Sequence, residues 1–238
     1  MIQAIRNVLV ITGIVLSTLV FAMSAVAFML VGIKGRLIDR HATIWSRTVA
    51  WIAGMKLQAF GKQNVDPQRT YVVVVNHRSH LDTTVLYVQS PVPIRMLAKA
   101  SLFKIPVLGW CMTLAGQVPV HRDEGKTDMV RLERDVDRLI LEAGRSLCVF
   151  PEGTRQQPGE FGDYKMGAFI MAKEFDLPIL PVSVEDTGKI LPAKIVRFRK
   201  GEVKLRFHPP IAAEGKTVDE LAAETKCVIE AGCLALRG

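Results

Sequence analysis

Aromatic residues are scarce in this chain of 238, at 7%, and its four cysteines show neither close pairing nor metal-type spacing. No Cys/His finger pattern and no aromatic-studded basic strand accompanies its 31 Lys+Arg, which excludes nucleic acid as the partner for a net charge of +8. That charge then fits an anionic bilayer or a small phosphorylated ligand. Cys111 and Cys148 sit among apolar neighbours, and Cys227 and Cys233 lie in a helical pattern. All four are expected to be small buried hydrophobes in a reducing compartment. Internal repeats and low-complexity linkers are also missing. With 49% apolar and 23% charged residues, the chain has material for a sizeable core and no signature of disorder.

Charge itself is absent from residues 8–33, VLVITGIVLSTLVFAMSAVAFMLVGI. That run exceeds the ~20 residues a helix needs to cross hydrocarbon. Arg6 before it and the small-x-small triplet Ala25-Val26-Ala27 also fit a cleaved signal peptide. The apolar run continues past Ala27, however, which favours a retained membrane segment, either spanning or lying in one leaflet. Lys34, Arg36 and Arg40 follow as a basic flank, which places the remainder on the cytoplasmic face. Over residues 39–55, Ile44, Thr48, Trp51, Ile52 and Met55 recur at helical spacing, with Trp45, Arg40, Arg47 and Lys56 beside them. The pattern predicts an interfacial helix, so residues 1–56 form a membrane-docking hairpin and 57–238 an α/β domain.

Residues 71–75 are a β-branched run too short for a buried helix. They read as a strand covered on both faces. Similar strands are expected at 94–98, 146–150, 179–184 and 203–208. Helices are expected at 83–89, 107–114, 126–143 (stopped by Gly144), 164–175 and 218–236. This alternation predicts an α/β fold with a largely parallel sheet flanked by helices.

Asn76-His77-Arg78-Ser79-His80-Leu81-Asp82 follows the first of these strands, and ligands gather beyond the carboxyl ends of strands in open α/β sheets. A His five residues before an Asp across such a turn can be held by the carboxylate at one ring nitrogen. The other nitrogen is then free to act as a general base. A zinc reading of His77, His80 and Asp82 lacks an HExxH-like pattern or any further ligand cluster. Phe150-Pro151-Glu152-Gly153-Thr154-Arg155 follows another strand. In it, Gly153 permits close approach of the backbone to a ligand, and Arg155 offers a planar fork for phosphate.

Together these two motifs resemble the glycerolipid acyltransferases, specifically the 1-acylglycerol-3-phosphate (lysophosphatidate) acyltransferases. The likeness runs from about Lys56 to Val184. Gly116-Gln117-Val118-Pro119-Val120-His121-Arg122 resembles the family's acceptor segment, with Pro119 where an aromatic is usual. Leu177-Pro178-Ile179-Leu180-Pro181-Val182 resembles its apolar, paired-proline block. The resemblance implies acyl transfer from a thioester to a lysophospholipid hydroxyl with His77 as base, Asp82 as its orienter and no acyl-enzyme. It also implies substrate contacts from Gly116, Arg122, Glu152, Gly153, Thr154 and Arg155. Lys99, at a predicted strand end, is the favoured further phosphate contact over Lys104 and Lys165. The implied partners are membrane lipids and an acyl-CoA or acyl carrier protein cosubstrate, with no metal or other cofactor. Another lysophospholipid, a lyso-aminolipid or glycerol 3-phosphate stands as the alternative acceptor. A non-enzymatic lipid-binding protein would leave the His–Asp spacing without a purpose.

Overall fold

The four consecutive valines Val72–Val75 are all buried, and alternate ones belong to different cores. β-Branched side chains favour extended backbone, and a strand apolar on both sides needs cover on both faces. In this computed structural model the cover comes from helices above and below a seven-stranded sheet. The structure describes residues 2–33, 35–106, 108–123, 126–127, 129–137, 144–157, 159–192 and 195–237, without the side chains of Ile2, Met29, Arg122, Asp123, Lys126, Thr127 and Met129.

The helices are α1 (Ile2–Leu30), α2 (Arg36–Ala53), α3 (Asp82–Gln89), α4 (Leu108–Leu114), α5 (Met129–Val136), α6 (Gly167–Glu174), α7 (Thr187–Ile190) and α8 (Val218–Arg237). The strands are β1 (Met55–Phe60), β2 (Val72–Val75), β3 (Ile94–Lys99), β4 (Val118–Val120), β5 (Arg122–Asp123), β6 (Lys126–Thr127), β7 (Ser146–Val149), β8 (Ile179–Glu185) and β9 (Gly201–Phe207). The large sheet runs β1-β9-β8-β2-β7-β3-β4. Strands β8, β2, β7, β3 and β4 are mutually parallel, whereas β9 pairs antiparallel with β8 and carries β1 parallel to itself. The expected α/β architecture with a largely parallel sheet is present.

Val73 and Val75 pack with Val10, Val49, Ala53, Leu81 and Val85, which belong to α1, α2 and the α3 region. Val72 and Val74 pack with Phe169, Ala172, Leu221 and Ile229 of α6 and α8. Each fully buried valine contributes ~1.5–3 kcal/mol. Helix α2 runs antiparallel along α1. Trp45 Nε1 donates to Thr18 Oγ1 (3.2 Å), while Ser24 Oγ meets His41 Nε2 (2.7 Å). Near the start of α2, Asp39 ion-pairs with Arg95 of β3 and, at 3.1 Å, with Arg145 just before β7. Its end, Gly54, takes the left-handed conformation (φ 75°) and turns the chain into β1.

The helix expected over 126–143 begins later, because Lys126–Thr127 pair with Arg122–Asp123 as a short antiparallel ladder. Its final residues, 138–143, lie outside the described residues. Pro119 occupies the edge strand β4, where its missing N–H costs no sheet bond. Cys148 and Cys233 are buried, but Cys111 is half-buried and Cys227 exposed. The expectation of four buried thiols therefore holds for two, because α8 turns Cys227 outward and Cys233 inward.

Candidate active site

Strands β2 and β7 are neighbours and parallel, so the segments after them emerge side by side at one sheet edge. His77 stands two residues beyond β2 and Phe150 directly after β7. Their rings stack with centroids 4.1 Å apart and planes at 20°. His77 Nδ1 lies 2.8 Å from Asp82 Oδ2 at the start of α3. The same oxygen accepts from the backbone N–H groups of Arg78 (2.7 Å) and Ser79 (2.9 Å). The Asp82 side chain is fully buried and that of His77 is 19% exposed. A carboxylate bonded at Nδ1 assigns the proton to that nitrogen. The Nε2 lone pair is left to take a proton from a substrate.

The rest of the turn is tied to neighbouring strands. Asn76 Nδ2 donates to Val184 O and Asn76 Oδ1 accepts from Val184 N, both at 2.8 Å, which locks the turn to β8. His77 N–H donates to Glu152 Oε2 (3.0 Å), and His77 O accepts from Gln156 N (2.9 Å). The buried Arg78 guanidinium donates to Gln157 O (3.3 Å) and to Glu160 O, with the Phe161 ring 4.6 Å away. Ser79 Oγ donates to Leu191 O (2.8 Å). Such cross-ties fix the position of the His77 ring before any ligand binds.

Glu152, expected to contact substrate, is buried with one carboxylate oxygen on the His77 backbone. Burial pushes its carboxyl pKa up, against the opposing pull of the His77 N–H and the Arg78 charge. His80 has its pKa held down first by desolvation, then by the charges of Arg155 and His77. Arg155 is thus close enough to His80 for its charge to be felt there. Its Nη1 is buried with no hydrogen-bond partner among the described residues. Gly153 takes φ 69°, a conformation few side chains tolerate, and Thr154 is exposed beside it.

A β-carbon at Gly153 would lie 2.7 Å from Lys165 Nζ. The structure thus brings Lys165, which ranks behind Lys99 by sequence, directly over the loop. Lys165 N donates to Pro151 O (2.9 Å), and that return of the chain has no sequence signal beyond the nearness of Lys165 to the motif. Lys99 ends β3, exposed, at the same edge but two strands from β2. Arg122 follows β4 at that edge with its backbone in β5, and its side chain lies outside the described residues. Gly116 (φ 68°) precedes β4, so parallel pairing sets it back from the His77 turn, against the Arg95 side chain. It is the one expected contact that the fold holds away from the edge, and it serves the turn between α4 and β4.

The described residues hold no cluster of three or more His, Cys, Asp or Glu suited to a metal ion. Asp82 Oδ2 is instead committed to three N–H donors.

The chain is similar to several known proteins. The 1-acyl-sn-glycerol-3-phosphate acyltransferase BAT2, chloroplastic, of Brassica napus is 31% identical over 222 residues, covering 87% of this chain and 63% of that protein. The Saccharomyces cerevisiae 1-acyl-sn-glycerol-3-phosphate acyltransferase is 32% identical, covering 71% and 55%. The human alpha form is 30% identical, covering 74% and 62%. The chain thus spans between about half and two thirds of the length of these relatives. The crystal structure of the 1-acyl-sn-glycerophosphate acyltransferase PlsC from Thermotoga maritima shares the fold with a TM-score of 0.84 at 24% identity, covering 99% of this chain and 98% of that one. The acyltransferase family pattern matches residues 56–185, which include the His77 turn, the Glu152 loop and the strands that carry them: this chain belongs to the acyltransferase family.

Proposed function

We propose that the chain transfers a fatty acyl group from a thioester to the free sn-2 hydroxyl of 1-acylglycerol-3-phosphate, giving phosphatidate. The observation that carries this reading is a partly exposed imidazole held at Nδ1 by buried Asp82, 2.8 Å away, on a backbone tied to Glu152 and Gln156 at either end of the Gly153–Arg155 loop. Nε2 takes the hydroxyl proton as the oxygen bonds to the thioester carbon. The tetrahedral oxyanion then collapses, the C–S bond breaks, and the thiolate leaves with the proton returned from Nε2. General-base assistance of this kind gives ~100- to 10,000-fold. Arg155 and Arg122 hold the acceptor phosphate, with Lys165 over the Gly153 loop and Lys99 at the end of β3 as further candidate contacts. Glu152 acts on His77 through its backbone rather than on substrate.

Thioester cleavage is downhill, so the reaction calls for no metal or nucleotide cofactor. Acyl-CoA or acyl carrier protein is the donor. Within α1, Gln3–Phe28 is long and apolar enough to cross a membrane. Both substrates partition into bilayers at ~0.8 kcal/mol per buried methylene, so a site docked at the surface by residues 1–56, with 57–238 on the cytoplasmic face, avoids extracting them. Pro119, in the acceptor segment where an aromatic is usual, favours a second reading with another lysophospholipid, a lyso-aminolipid or glycerol 3-phosphate as acceptor. The test is thiol release from acyl-CoA, then from acyl carrier protein, across a panel of such acceptors with wild type and His77→Ala. Activity that peaks on lysophosphatidate and vanishes in the variant supports the reading. Equal turnover by a folded, membrane-bound variant removes His77 as the base.

A further inference from the structure

The chain leaves the catalytic turn at Leu191, whose carbonyl accepts from Ser79 Oγ, and a few residues later it meets the first turns of α1. Asn7 Nδ2 donates to Val196 O (3.1 Å), Asn7 Oδ1 accepts from Phe198 N (3.1 Å), and Gln3 Nε2 donates to Phe198 O (2.7 Å). Phe198 turns into the core between exposed neighbours. Ile195 and Val196 are 63% and 64% exposed, and Arg197, Arg199 and Lys200 are exposed with them. No acid occurs from Ile195 to Gly201. Arg6 Nη2 lies 3.5 Å from Ala53 O, and the Lys200 stem packs over Gly54. Trp51, three residues before that glycine, is exposed. The start of α1, the end of α2 and residues 195–200 therefore form one rim, at the sheet edge that also carries His77. Acyl transfer as described uses no side chain of residues 195–200.

We propose that residues 195–200 are an anchor for an anionic lipid bilayer, joining the catalytic turn to the membrane surface beside α1. Two large apolar side chains between cations suit the boundary between acyl chains and headgroups: the aliphatic groups enter and the cations meet phosphates. The surface continues the outer face of α1, where Val8, Leu9, Leu16 and Val20 are exposed. A second copy of the chain is less suited, because this rim would meet a partner that also carries a net charge of +8. The anchor rests on the membrane reading of α1, and it sets the height of the His77 turn through the Ser79–Leu191 bond.

The test uses the full chain with Val196→Cys in a Cys227→Ser background, bimane-labelled, with Cys227→Ser alone as the labelling control. It is reconstituted into phosphatidylglycerol or phosphatidylcholine vesicles containing a nitroxide lipid. The anchor requires blue-shifted, nitroxide-quenched bimane emission on phosphatidylglycerol. Arg197→Gln/Arg199→Gln/Lys200→Gln should lower the preference for phosphatidylglycerol by about fivefold per cation removed. Bimane that stays in a water-like environment while the chain floats with the vesicles overturns the anchor and leaves the membrane reading standing. A chain that does not float overturns both. A blue shift that grows with protein concentration without vesicles assigns this face to a second copy and also overturns the proposal.

Discussion

Replacing Asp82 by Asn separates support of the backbone from orientation of the base. In the native turn, Asp82 Oδ2 accepts from His77 Nδ1, Arg78 N and Ser79 N, in complete burial. An amide oxygen can still accept from the two backbone groups. Each bond falls from the charge-assisted range of about 1.5–3 kcal/mol to about 0.5–1.5 kcal/mol, so about 2–3 kcal/mol of stability is lost. At about 2–4 °C per kcal/mol for a chain of this size, the unfolding midpoint drops by roughly 4–12 °C. For the base the change is worse. With its oxygen on the backbone, the introduced amide offers an N–H to Nδ1, which drives the ring proton onto Nε2, where the mechanism needs a lone pair. No buried anion remains to stabilise the imidazolium. The expected fall in kcat is about 100- to 10,000-fold, or about 3–5 kcal/mol, with the acceptor KM nearly unchanged. Thiol release at a temperature well below both unfolding midpoints measures it. A folded Asp82→Asn protein turning over within about threefold of wild type would refute the reasoning, because a base held in the wrong tautomer forfeits assistance worth about 100- to 10,000-fold.

Arg155→Ala removes the guanidinium proposed to hold the acceptor phosphate and should raise the acceptor KM by about 10- to 100-fold, with vesicle binding unaltered; an unchanged KM would take the phosphate from Arg155. His208 is held neutral by burial, and secondarily by Arg206, its pKa pushed from 6.5 to about 4. Because the folded value lies below the unfolded one, this stability is fully present above pH 6.5 and is lost as the pH falls toward 4. His208→Gln should flatten the urea midpoint across that window, and an unaltered slope would count against it. Asp39→Ala removes the anion between Arg95 and Arg145 and should cost about 2–4 kcal/mol while loosening α2 from the sheet. Proteolysis within α2 at native temperature reads that loosening, and equal protection would contradict it.

Much of the fold is legible in the sequence because its signals are local. Four valines in a row dictate a strand covered on both faces, and the uncharged stretch before Lys34 dictates a helix with an apolar exterior. The spacing of His77 and Asp82 is also a local matter, since five residues across a strand-to-helix turn put the two side chains within reach of each other. Strand β1 was illegible: Met55 closes the helical pattern of residues 39–55, no strand is expected over 57–60, and the strand state of Met55–Phe60 comes from pairing with β9, nearly 150 residues away. The same holds for Glu152. Its motif marks it as functional, yet only the adjacency of β2 and β7 turns its carboxylate onto the His77 backbone.

The sequence by itself determined the alternation of strands and helices, the apolar first helix, and a histidine within reach of an aspartate. Each depends on backbone preference and side-chain period over a few residues. The tertiary structure decided the strand order, the fork from Asn76 to Val184, the placement of Lys165 over Gly153, and the clasp between Asn7 and residues 196–198. Contacts of that kind join segments far apart in the chain. They form only where burying the shared core offsets the entropy of closing the loops between them, and no short stretch of residues encodes that balance.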